Sequence, residues 1–108
     1  MCITCYREAG SPKPSAEALA VSRLFEDVSE DGETSSFYCV SDNMNVEDDI
    51  LDACIADPEL RPEERIALVA LRTLPEVQRY AALAFTWGDI DEHGAETGYP
   101  TFIRKGAR

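Results

Sequence analysis

Cys2 and Cys5 stand two residues apart, a spacing at which two thiolates can grip one metal ion from a single turn of chain. They would supply half of a tetrahedral zinc site. The other half would have to come from Cys39, Cys54 or His93, and none of these forms a second close pair. The pattern therefore stops at half a site, and metal binding by Cys2 and Cys5 stays open. A thiol–disulfide role at this spacing wants a strand before the pair, and no strand-forming run precedes Cys2. Cys39 and Cys54 lie in apolar stretches, where cysteine behaves as a small hydrophobe.

Two acidic turns come next. Asp89-x-Asp91-x-His93-Gly94 is similar to the first half of an EF-hand calcium loop, with ligand types at the first, third and fifth positions and glycine at the sixth. The twelfth position, where that loop needs a bidentate glutamate, is Pro100. A second partial match, Asp27-x-Ser29-x-Asp31-Gly32, has Tyr38 there. Both read as turns without a cation. The start, Met1-Cys2, resembles the N-terminal-nucleophile amidotransferases, but Ile3 stands where those enzymes show glycine, and the chain is too short for their layered sheets. His93 is the single histidine, in a polar turn with no Ser or Cys to activate. With no glycine-rich phosphate loop and no Ser/His/Asp set either, the sequence reads as a non-enzyme without cofactor.

The strongest signal is charge. From Leu24 to Leu60 there are twelve acidic side chains and no lysine or arginine. Phe25, Val28, Phe37, Tyr38, Val40, Ile50, Leu51 and Ile55 are interleaved with them, so the segment can fold. With a net charge of −11 and 44% hydrophobic residues, the chain reads as a folded, strongly negative domain and not a disordered acidic tail. Such a surface repels phosphate backbones and anionic lipid, which argues against direct nucleic-acid or membrane binding. It attracts a basic protein. Glu26, Asp27, Glu30, Asp31, Glu47, Asp48, Asp49 and Asp52 are the expected contact residues. In size and composition the chain resembles phage-type DNA-mimic inhibitors, such as anti-restriction and anti-CRISPR proteins. That resemblance implies a viral protein that occupies the basic groove of a nucleic-acid-handling partner and inhibits or regulates it. The alternative is a small zinc-binding or homodimeric adaptor whose charge only keeps it soluble. Arg61, Arg65, Arg72 and Arg79, mostly at intervals of seven, are expected to neutralise acids of the same molecule rather than form a docking stripe. No signal-peptide pattern or membrane-length apolar run is present, and a reducing, cytoplasmic setting is the default expectation.

These residues need elements to position them. The spacing predicts an N-terminal arm over 1–14 and a single compact domain over 15–108. Ser15 caps a helix in which Val21, Leu24, Phe25 and Val28 recur at helical intervals. Residues 35–40 are rich in strand formers. Asn45 caps a second helix that ends at Asp57-Pro58. Pro62 and Pro75 start two further helices, and Gly88 stops the last. Tyr99 to Ile103 reads as extended and able to pair with the segment around Phe37. The expected fold is therefore α+β and helix-dominated, about four helices with a short two- or three-strand ribbon. Its predicted core is Leu24, Phe25, Val28, Ile50, Leu51, Ile55, Ile66, Val69, Leu74, Tyr80, Ala84 and Phe85.

Overall fold

A computed structural model describes residues 2–30 and 32–97 of the chain. Six helices follow one another: α1 (Ile3–Glu8), α2 (Ala16–Glu30), α3 (Ser35–Asn43), α4 (Asp48–Ile55), α5 (Pro62–Arg72) and α6 (Glu76–Thr86). Among the described residues there is no strand, only an isolated antiparallel bridge between Ile90 and Glu96. The expected ribbon is thus corrected. Its proposed first strand, around Phe37, is α3, while its proposed second strand, Tyr99 to Ile103, lies outside the described residues.

Residues 35–43 are helical for reasons that outweigh strand propensity. The Thr34 hydroxyl accepts a hydrogen bond from the Phe37 N–H, capping the first turn. Phe37, Val40, Ser41 and Met44 then fall at i, i+3, i+4 and i+7, and all four are buried. A strand would turn Phe37 and Val40 to opposite faces. Met44 closes α3 in the left-handed conformation at φ 55°. Asn45, expected to cap α4, serves α3 instead, its side-chain amide donating to the Cys39 carbonyl at 3.2 Å. α4 starts after Glu47, with Asp48 and Asp49 in its first turn beside the positive end of the helix.

α5 and α6 are joined by a short turn about Leu74-Pro75, and α2 packs against both, running in the same direction as α6. The Ser15 N–H donates to Gln78 at one end of that contact, and the Ser22 and Thr86 hydroxyls meet at 2.7 Å at the other. Ala81, Ala82 and Ala84 on α6 are fully buried and let the two helices approach closely. Phe25 of α2 stacks on Phe37 of α3 with ring centroids 4.9 Å apart. Within the segment read as an arm, α1 carries a fully buried Tyr6, which packs on Tyr80 and donates to the Pro12 carbonyl.

Of the predicted core, Phe25, Val28, Leu51, Leu74, Tyr80 and Ala84 are buried, and Leu24, Ile50, Ile55 and Phe85 are half-buried. Ile66 and Val69 are not in the core: they are 62% and 44% exposed. The reason is Glu64. Its fully buried carboxylate accepts the Thr34 N–H at 2.7 Å and the Arg61 N–H at 2.8 Å, and so fixes the rotation of α5. Ala67, Leu68 and Leu71 then turn inward, and Ile66 and Val69 are carried outward.

Candidate functional site

Seven acids of the 24–60 segment are exposed: Asp27, Glu30, Glu47, Asp48, Asp49, Asp52 and Glu59. Glu26 is half-buried, and Asp31 lies outside the described residues. The contact residues expected from sequence do not form one cluster. The α2–α3 turn is fastened to the start of α5 by hydrogen bonds from Thr34 to Glu64 and from Arg61 to the Gly32 carbonyl. Glu26, Asp27 and Glu30, at the end of α2, therefore lie toward the start of α5. α4 runs antiparallel to α5. Arg65 reaches the Asp57 carbonyl at 2.8 Å, and Arg72 reaches Asp52 at 3.0 Å. Glu47, Asp48, Asp49 and Asp52 thus sit at the opposite end, where α5 turns into α6.

Arg61, Arg72 and Arg79 pair with carboxylates of the same molecule, whereas Arg65 donates to a backbone carbonyl. Arg79 is the centre of this arrangement, its side chain only 6% exposed. It donates to the carbonyls of Leu74 and Val46 at 2.8 Å, to that of Arg72 at 3.1 Å, and to the Asp48 carboxylate at 2.6 Å. Arg72 adds contacts to Asp48 and Asp52. The hydrogen bond from Arg79 and the nearby arginine charges hold the Asp48 carboxyl below its usual range. Asp57 is lowered as well, by the Ser36 hydroxyl and the Glu59 N–H that donate to it. Sequence spacing pointed to a neutralising role for Arg79. Its burial, and its three backbone acceptors, had no signal in the sequence.

Cys2 and Cys5 are exposed, with their sulfur atoms 3.6 Å apart. Hydrogen bonding with the Cys5 backbone and side chain holds the Cys2 thiol below its ordinary value, whereas burial pushes Cys54 up. Among the described residues no group of three or more His, Cys, Asp or Glu side chains is arranged to hold a metal. Cys39, Cys54 and His93 do not complete the half-site at Cys2 and Cys5. His93 is an exposed turn residue beside Glu92. The Asp91 carboxylate accepts the N–H groups of His93 and Ala95, folding the turn on itself instead of lining a cation loop. Asp27 and Ser29, from the other partial calcium match, lie inside α2. Among the described residues no helix is long and apolar enough to cross a membrane.

One feature escaped the sequence reading. The outward side of α5 forms a shallow groove of about 520 Å³ lined by Pro62, Arg65, Ile66, Val69 and Ala70. The run from Ile66 to Leu74 is apolar on nearly every side, so periodicity alone could not say which side faced water. Compared with known proteins, the chain matches no family model, no curated protein and no solved structure.

Proposed function

We propose that this protein is a non-enzymatic binding protein that docks on a basic partner, a protein or complex that handles nucleic acid, and regulates or inhibits it. The observation that carries this reading is the display of carboxylates. Seven acids of the segment face solvent, five of them on α2 and α4, whose inner sides are locked into one core, and Glu47 and Glu59 in the turns beside α4. Carboxylates fixed in this way need little ordering on binding, so more of their attraction appears as affinity. Two acidic groups at opposite ends of α5 also suit an extended basic groove better than a single point contact.

The test begins with the partner, recovered from the native host by pull-down and identified by mass. Its association rate is then measured at low and high ionic strength, and with charge-reversed variants at each end: Asp27→Lys with Glu30→Lys, and Glu47→Lys with Asp49→Lys. Long-range attraction should make association fall steeply as salt is added. Each pair of reversals should slow it while leaving the helical spectrum unchanged. Association that is indifferent to salt and to both reversals would reduce the acidic surface to a solubility device.

A further inference from the structure

The groove on α5 is an apolar floor inside a negative frame. Ile66 and Val69 lie outward at 62% and 44% exposure, continuous with Pro62 and Ala70. Single exposed hydrophobes are ordinary on soluble proteins, but a contiguous concave set is a mark of an interaction site. α4 runs along one edge. From Glu47 to Arg72 there are eight acids and three arginines, a net charge of −5 for the elements that frame the groove. Each of those arginines is already engaged within the molecule. Arg61 contacts Glu63, Glu64 and the Gly32 carbonyl; Arg65 the Asp57 carbonyl; and Arg72 Asp48 and Asp52. Arg65 lines the groove with its apolar stem while its guanidinium is turned to α4. Carboxylates are exposed at both ends, Glu59 beside the start of α5 and Asp49 beside its end, with Glu63 and Asp52 exposed next to them although each already meets an arginine.

We infer that this groove binds a basic amphipathic helix, with an apolar stripe seated on Ile66, Val69 and Ala70 and flanking lysines or arginines reaching the α4 and α5 carboxylates. The dimensions agree. Pro62 to Ala70 spans about 12 Å of helix axis, and anchors at i, i+3 or i+4, and i+7 span about 10 Å. Charge selects this occupant over a second copy of the chain. Two copies meeting through this face would bring two net-negative frames together in a molecule whose overall charge is already −11. The inference rests on the proposed attraction to a basic partner and adds to it a place and a shape.

The probe is a synthetic helix with leucine at i, i+3 or i+4, and i+7 and lysine at its other positions. It is compared with a scrambled isomer of the same composition and with a version carrying glutamate for lysine. Binding is read by fluorescence anisotropy at physiological salt, against the wild-type chain and an Ile66→Ser, Val69→Ser variant. The ordered basic helix should bind wild type roughly ten-fold or more tighter than its scramble, and the double variant should lose about that factor, from the apolar area two such side chains cover. The variant's melting temperature should hold, since both residues are exposed. If the ordered and scrambled peptides bind alike, or the variant binds as wild type does, the groove is a bystander and charge alone acts; the proposed docking on a basic partner then survives without this site. If the glutamate peptide binds as well as the lysine one, attraction to basic partners fails along with the groove. Concentration-dependent dimerisation in sedimentation, abolished by the same two substitutions, would assign the face to a second copy and overturn the inference.

Discussion

Replacing Arg79 by methionine should be the most damaging single change to a charged residue in this chain. Methionine matches much of the arginine stem in length and fills most of its volume, so the loss is chiefly of hydrogen bonds. Three carbonyls, those of Val46, Arg72 and Leu74, lose a charged donor in a nearly buried site. Leaving a buried acceptor unsatisfied costs about 1–3 kcal/mol, and the lower end applies where some water can enter, which gives roughly 3 kcal/mol for the three. Asp48 is exposed, and its lost ion pair adds little. For a domain of this size, a loss of about 3 kcal/mol lowers the melting temperature by roughly 12–24 °C. Urea denaturation followed by circular dichroism is the assay. The midpoint should drop with no change in slope, because the surface exposed on unfolding is the same. Arg79→Lys should fall between wild type and Arg79→Met, since an ammonium cannot fork to four acceptors. A loss for Arg79→Met below about 1 kcal/mol would refute the assignment of Arg79 as the link between the α3–α4 loop and the α5–α6 turn.

Other outcomes follow from the same contacts. Leu68→Ala should cost about 2–5 kcal/mol in urea denaturation, whereas Ile66→Ala should stay within about 0.5 kcal/mol; equal losses would mean that α5 is rotated otherwise. Because the folded-state pKa of Asp57 is depressed, its contribution is complete above the ordinary carboxylate range and is lost as pH falls through the lowered value. The melting-temperature gap between wild type and Asp57→Asn should accordingly be widest near neutrality and shrink on acidification. At neutral pH, alkylation followed by peptide mass mapping should label exposed Cys2 before half-buried Cys54, whose thiol is shifted the opposite way.

Helix starts were readable wherever one residue type had one physical use. Ser15 caps α2, its hydroxyl accepting from the Ala18 N–H at 3.1 Å, and Pro62 stands first in α5 as its fixed φ allows. Residues 35–40 read as a strand on aromatic and β-branched propensity, although Phe37, Val40 and Met44 carry the helical interval. The rotation of α5 was hidden for another reason. It is set by Glu64, a carboxylate that composition would place in water, and whose backbone partner Thr34 lies thirty residues away in sequence. For the candidate site, the sequence located the acids on α2 and α4 but not their separation, since which helices lie side by side is a tertiary fact. Docked Tyr6 escaped notice because a lone aromatic in a short helix has no periodic company.

The contact between Arg7 and Glu96 joins positions 89 apart in sequence. Gly94 is part of the same closure: its φ is +81°, and a Cβ there would fall 2.7 Å from the Ser11 carbonyl oxygen. Joining chain so far apart in sequence carries a large loop entropy, and an exposed ion pair returns little against it. The clasp should therefore be the last part to assemble and the first to open. Slow amide exchange should persist in α2, α5 and α6, while the amides of α1 and residues 89–97 exchange together through a common local opening that leaves the bundle standing. Such an opening would lift Tyr6 off Tyr80 and wet the face of α6 it covers, giving the molecule a low-energy excited state that a static picture of six helices conceals.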